Sequence, residues 1–207
     1  MHTQPLAPEA IEELLGPYLS ISSTAVPFSI YGQLASYLEL ILKWNNRINL
    51  TAIRKPEDIV RRHFGESLFA GLHLGSCDSL LDLGSGAGFP GIPIQLLRPE
   101  LSVTLAESRT RKAAFLREAV RVLDLKTEVW AARAEAMPPD RGFHTVILRA
   151  VDEMDLAVAE GARRAQQKVL ILGTKNASYP TLPHKFLRTQ IPLPDSQDGV
   201  LLITDRR

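Results

Sequence analysis

The chain has 207 residues, 45% hydrophobic and 23% charged, and its 24 basic and 23 acidic side chains leave a net charge of +1. That is ordinary globular usage with ample apolar material for a core, and it excludes both a disordered chain and one that binds polyanions by bulk charge. A single cysteine, Cys77, excludes an internal disulfide framework or a cysteine-cluster zinc site, and the five histidines show no metal-ligand spacing with carboxylates, so no metal is expected.

The chain opens without a basic-then-apolar signal segment, and none of its apolar runs reaches the ~20 residues of a membrane span, so a cytoplasmic protein is expected. Pro8 and Glu9 start a first helix carrying Ile11, Leu14 and Leu15, which Gly16-Pro17 should stop. Ile30, Leu34, Tyr37, Leu38, Ile41 and Leu42 recur at helical spacing and mark a longer amphipathic helix to about Asn46. Pro56-Glu57-Asp58 starts another, leading through Ile59 and Val60 to Phe64, Leu68 and Phe69. Residues 1–66 are therefore read as a helical cap and 67–207 as an α/β body.

The body begins with the apolar run Ser79 to Leu83, which breaks into Gly84-Ser85-Gly86-Ala87-Gly88-Phe89-Pro90-Gly91 and then into a helical stretch from Ile92. Strand, glycine loop, helix is the opening unit of a parallel α/β sheet, whose ligands sit at the carboxyl ends of its strands. Two loop grammars overlap here. Gly86 to Gly91 fits G-x-G-x-x-G, with Glu107 about 20 residues on as an acidic ribose clamp. Counted from the strand, the register is Asp82-Leu83-Gly84-Ser85-Gly86-Ala87-Gly88, and an aspartate at the strand end would repel a pyrophosphate. It suits a cationic ligand without phosphate, so S-adenosylmethionine is favoured over a dinucleotide.

Ser102 to Ala106 reads as the second strand and delivers Glu107 to its end, where a carboxylate can accept both ribose hydroxyls. Thr127 to Trp130 is the third, followed by Arg133-Ala134-Glu135 in a turn that this architecture sets beside an adenine. Thr145 to Leu148 is the fourth strand, Asp152 to Ala165 a helix, and Lys168 to Leu172 the fifth strand. Phe186–Ile191 and Val200–Thr204 are joined by a link too short for a crossover helix, so they form an antiparallel hairpin. Parallel strands closed by such a hairpin make a class I methyltransferase plan: a Rossmann-like, mostly parallel seven-stranded sheet with an amino-terminal helical extension.

Cations gather around Arg54, Lys55, Arg61 and Arg62, around Arg109, Arg111 and Lys112, and at Arg163-Arg164. They suit either solvated helix faces or a discontinuous phosphate-tracking surface. The fourth strand exits as Leu148-Arg149-Ala150-Val151-Asp152 and holds no Asn/Asp-Pro-Pro-aromatic grip for an adenine amino group. Cys77 precedes the first strand, on the wrong side of the sheet to add to a pyrimidine ring. A guanine N7 needs neither device, because its lone pair carries no proton and has only to be aligned with the S–CH₃ bond.

Several segments together resemble the RsmG (GidB) family of methyltransferases, which methylate a guanine N7 in bacterial small-subunit ribosomal RNA. They are Trp44-Asn45-Asn46-Arg47-Ile48-Asn49-Leu50-Thr51, His63-Phe64-Gly65-Glu66-Ser67-Leu68, Asp82 through Gly91, Glu107-Ser108, Arg111-Lys112 with Phe115-Leu116, and Arg149-Ala150. The resemblance implies that Asp82, Gly84, Ser85, Gly86, Gly88 and Phe89 hold the methionine part of S-adenosylmethionine. It implies Glu107 for the ribose, Ala134 and Glu135 for the adenine, and Arg149 as the catalytic residue between donor and acceptor. Asn49, Thr51, Arg54, Arg111, Lys112 and Lys175 would face the RNA, although Asn49 and Thr51 also suit helix-end capping. The implied partner is small-subunit ribosomal RNA within an assembled or nearly assembled subunit, bound by a monomer without membrane contact.

Two positions depart from the family pattern: Asp152 replaces a usual second alanine, and Asn176 a usual glycine ahead of a short Pro180–Pro183 link. Asp152 either caps the following helix or faces the pocket. Two other classes stay open at this point, a dinucleotide-dependent oxidoreductase and a donor-binding ribosome-assembly factor without catalysis.

Overall fold

The computed structural model describes residues 6–22, 26–179 and 186–206. Seven strands form one sheet in the order β3-β2-β1-β4-β5-β7-β6. The first five are β1 (Ser79–Leu83), β2 (Ser102–Ala106), β3 (Glu128–Trp130), β4 (Phe143–Arg149) and β5 (Ala165–Thr174). They run parallel, and β1 is flanked by β2 and β4. Leu80, Leu81, Val146, Ile147 and Leu170 are inaccessible to solvent, as strands covered on both faces must be. The last two, β6 (Phe186–Pro192) and β7 (Gly199–Arg206), form the expected antiparallel hairpin, with β7 inserted antiparallel between β5 and β6. The Pro180–Pro183 link lies outside the described residues. The chain leaves β1 toward β2 and β3 and then returns to β4 on the other side. That reversal opens a crevice at the carboxyl ends of β1 and β4.

Among the described residues, four α-helices precede the sheet. The first, α1 (Pro8–Leu19), does not stop at Gly16-Pro17 but carries on through them. Its buried stripe is Ile11, Leu15 and Tyr18, so stopping at Gly16 would leave Tyr18 outside the core that it fills. The second, α2 (Ser29–Asn45), buries the periodic face expected of it. Next come α3 (Pro56–Ile59), a π-helical turn (Val60–Gly65) and α4 (Glu66–Leu72), end to end. The boundary expected at residue 66 thus falls inside a continuous helical run. Residues of α1, α2 and α4 share one apolar cluster with Leu80, Ile92, Val103, Phe115 and Leu170. At Gly65 the π-turn passes so close to α1 that a Cβ there would sit 2.5 Å from the Tyr18 ring.

Three more helices cover the sheet: α5 (Gly91–Leu97), α6 (Thr110–Val122) and α7 (Met154–Arg164). Of the Arg163-Arg164 pair on α7, only Arg163 lies at the surface. Arg164 is 1% exposed. Its Nε meets Glu160 at 2.5 Å, and its terminal nitrogens donate to the carbonyls of Met137, Pro138 and Arg141. Arg163 pairs with the same Glu160 at 2.7 Å. Three donations from Arg164 tie the 137–141 loop to α7, and Glu160 holds the guanidinium from within the helix. Adjacent in sequence, the two arginines read alike, yet Arg163 fits the solvated face and Arg164 is a buried clamp.

Candidate active site

The loop between β1 and α5 is held open by its backbone. Gly84, Gly86 and Gly88 all have positive φ, at 78°, 58° and 85°, where any other residue would be strained. The amides of Gly84 and Ser85 both donate to the Ala106 carbonyl at 3.0 Å, tying the loop to the end of β2. Glu107 braces it from the same side. One carboxylate oxygen accepts the Gly86 amide at 2.9 Å and the other the Arg109 amide at 2.7 Å. A second lone pair on each oxygen remains for a ligand's hydroxyls.

Below the loop and beside the β4 exit lies a cavity of about 530 Å³, within the range of small-molecule sites. Gly84, Ser85, Gly86 and Phe89 line one wall, Glu107 and Lys112 another, and Thr51, His63, Arg149 and Asp152 the rest. A smaller cleft of about 90 Å³ adjoins it, shares Gly84 and Glu107, and reaches Ala134 and Glu135. Ala150 and Glu153, at the rim, have φ of 47° and 54°, and such strained backbone in non-glycine residues concentrates at functional sites.

Two of the expected donor contacts are placed differently. Asp82 is fully buried and does not line the cavity. One of its oxygens accepts the Gly91 amide at 2.9 Å and the other has no partner. Burial pushes its carboxyl group up to about 7, so its charge is the costly state rather than an exposed attractant. Gly88 does not line the cavity, and a Cβ there would come within 2.6 Å of the Tyr37 hydroxyl and 2.5 Å of Ile92. The Tyr37 hydroxyl donates to the neighbouring Ala87 carbonyl, so α2 forms the back of the loop.

Arg149 leaves β4 with its guanidinium turned toward the π-turn. Its side chain is 13% exposed and pairs with Glu66 at 2.8 Å. It also donates to the Arg62 carbonyl at 2.7 Å and to His63 Nδ1 at 2.8 Å. On its far side, His63 Nε2 meets Thr51 Oγ1 at 2.7 Å. The imidazole stacks on Phe89 at 4.6 Å between centroids. Burial, Arg149 and Arg62 hold the His63 pKa down to about 2, so the ring is neutral. Desolvation raises the Glu66 carboxyl, and Arg149 opposes it. Hydrogen bonds to the protein therefore engage both terminal nitrogens of Arg149.

The expected RNA-facing residues divide. Thr51 and Lys112 line the main cavity. Asn49 and Arg111 line a neighbouring groove with Arg47 and Arg109. Arg54 is exposed but tied to Asn45 and Asn49. Lys175 lines none of these spaces and donates to the Gln197 carbonyl at 3.0 Å. Asp152 does not cap α7; it lines the cavity and pairs with Arg109 at 2.7 Å. Capping of the 46–51 turn falls to Asn45, whose amide oxygen accepts from Leu50 and Thr51. Sequence reasoning gave His63, Glu66 and Asn45 no role, and only Glu66 left a signal: an acid within the apolar run from Phe64 to Phe69. Among the described residues no group of His, Cys, Asp and Glu converges as a metal site, and no helix is long and apolar enough to cross a membrane.

The reversed β7, the glycine loop on β1 and the acid after β2 define the class I methyltransferase fold. Its likeness to the precorrin-6y C5,15-methyltransferase of Geobacter metallireducens GS-15 establishes that fold alone, with a TM-score of 0.55 at 14% identity over 79% of this chain and 95% of that one. The model of the GidB family, rRNA small subunit methyltransferase G, matches residues 30–181, and the chain belongs to that family. The ribosomal RNA small subunit methyltransferase G of Roseiflexus sp. strain RS-1 is 49% identical over 128 residues, 59% of this chain. The match spans only 55% of that relative's length. The protein of the same name from Nitrosospira multiformis is 40% identical over 176 residues, 83% of this chain and 81% of that one. The oxidoreductase and the non-catalytic assembly factor find no support in these likenesses.

Proposed function

We propose that this chain transfers a methyl group from S-adenosylmethionine to N7 of a guanine in small-subunit ribosomal RNA, acting as a cytoplasmic monomer on an assembled or nearly assembled subunit. The observation that carries the reading is a cavity that joins a glycine-loop donor cradle to the β4 exit and is lined by no cysteine thiol. The residues fit the donor. A Cβ at Gly86 would meet nothing nearer than 3.9 Å, Glu107 keeps lone pairs for ribose hydroxyls, and the cleft at Ala134 and Glu135 extends from it as an adenine slot would. When bound, S-adenosylmethionine supplies an electrophilic methyl group on a sulfonium sulfur.

What the protein contributes is alignment and exclusion of water. A guanine N7 has no proton to lose, so no base is required. His63 is neutral but donates or accepts with both nitrogens inside the protein, and Glu66 is tied to Arg149. Cys77 is buried ahead of β1 with its sulfur 3.5 Å from Thr145 Oγ1, remote from the strand ends that carry the cavity. Pyrimidine carbon chemistry therefore lacks its thiolate. The methylated ring becomes cationic, and the Arg149 charge beside it is offset by Glu66. Lys112 lines the cavity and Arg111 the adjoining groove, which supports a role for both in meeting phosphates.

The test is incubation with methyl-labelled S-adenosylmethionine and either naked small-subunit RNA or intact subunits. Label released by borohydride-aniline scission at one guanine supports the proposal. Label on another base or atom, or donor binding without transfer to either substrate, refutes it.

A further inference from the structure

The hydrogen-bond chain from Arg149 to Thr51 has a direction fixed by its first member. A guanidinium only donates, so its 2.8 Å contact makes His63 Nδ1 the acceptor. The neutral ring then carries its proton on Nε2 and donates to Thr51 Oγ1 at 2.7 Å. The Ile53 amide donates to the same oxygen at 3.1 Å. A hydroxyl oxygen accepts at two lone pairs, and both are filled. Thr51, which lines the cavity, can only donate into it. The depressed pKa of His63 keeps this polarity from reversing near neutrality.

Resting on the function proposed above, we propose that the Thr51 hydroxyl donates to O6 of the target guanine and thereby selects guanine over adenine. On the edge that carries N7, guanine presents a second acceptor at O6, whereas adenine presents an amino donor. N7 itself must stay free for the methyl group, so position 6 is the discriminating atom left on that edge. A donor-only hydroxyl pairs with O6 and opposes an amino group, donor against donor. Arg149 acts behind it as a positioning residue. Its charge polarises the relay and strengthens the terminal donor, and its own terminal nitrogens are committed to Glu66, His63 and Arg62. The stacking of His63 on Phe89 ties the relay to the donor loop, so the hydroxyl is set relative to the methyl group as well as to the base.

The experiment uses small-subunit RNA carrying guanine, inosine or 2-aminopurine at the methylated position, made by splinted ligation and reconstituted into subunits. The unaltered protein should treat inosine, which keeps O6, like guanine. It should lose roughly 10- to 100-fold in kcat/KM on 2-aminopurine, which lacks O6. Thr51→Val should methylate guanine more slowly by about the same factor and no longer distinguish guanine from 2-aminopurine. Thr51→Ser should restore the distinction, and calorimetry should give both variants unchanged affinity for S-adenosylmethionine. A guanine preference that survives Thr51→Val overturns the assignment. So does weakened donor binding in that variant with the preference intact, which would place the hydroxyl on the donor. An unaltered protein that methylates no guanine refutes the proposed function, and this assignment with it; a variant-specific failure refutes the assignment alone.

Discussion

Replacing His63 with asparagine should change how stability depends on pH, by an amount the structure sets. The folded protein holds this imidazole at a pKa of about 2, whereas an unfolded chain releases its proton near ~6.5. The unfolded state therefore binds the extra proton throughout the interval between them. Stability from this group is complete above about pH 6.5 and is lost as pH falls toward the folded value. The slope approaches about 1.4 kcal/mol per pH unit below that point, so lowering the pH from 6.5 to 4.5 removes about 2 kcal/mol. His63→Asn keeps an acceptor near Nδ1 for Arg149 and has no proton to gain. Asp82, held up to about 7, has the opposite sign: its contribution falls as pH rises from the usual aspartate range toward 7. It is common to both proteins and cancels in the difference. Urea titrations at pH 7.5, 6, 5 and 4.5, extrapolated to water, give that difference directly. The unaltered protein should lead at pH 7.5 by about 1–3 kcal/mol for the lost contacts and forfeit that lead by pH 4.5. Parallel curves, with the gap constant within about 0.5 kcal/mol, would refute the reasoning and show that His63 charges freely in the fold.

Arg164→Ala should lower stability by about 3–5 kcal/mol, a fall of roughly 10 °C in thermal midpoint measured by calorimetry, because it strips Glu160 and three loop carbonyls of a buried partner. Gly65→Ala has an unstrained φ of −57° but drives a methyl group into the Tyr18 ring. It should cost about 1–3 kcal/mol, and most of that loss should vanish when Tyr18→Leu is added. Glu107→Ala frees the Gly86 and Arg109 amides and removes a carboxylate that lines both the cavity and its side cleft. Calorimetric affinity for S-adenosylmethionine should fall about 10- to 100-fold.

The sheet was legible because its signals are local: Ser79–Leu83 and Ser102–Ala106 are continuous apolar runs bounded by polar or glycine residues, and the short 194–199 link forces a hairpin. Glu107 was legible for the same reason, since the end of β2 fixes its place. What resisted reading depends on contacts distant in sequence. Arg149 and Glu66 are 83 residues apart, and nothing near either one announces that they pair. Asp82 read as a ligand contact because its position on the strand is right; only the approach of Gly91 turns the carboxylate inward. Gly88 fitted a binding motif, yet its lack of a side chain serves Tyr37, 51 positions earlier. Gly16-Pro17 looked like a stop because local punctuation is strong, and the burial of Tyr18 outweighed it.

The contact of Tyr37 with Ala87 and Gly88 bears on how this architecture can be rebuilt. An amino-terminal segment that only recognised RNA could be exchanged between relatives to retarget the enzyme while its cosubstrate affinity stayed constant. Here the segment also supplies the surface on which the glycine loop is moulded. Chimeras joined ahead of β1 will therefore carry changes in cosubstrate affinity along with any change in target, unless the partners of residues 87–88 travel with the graft.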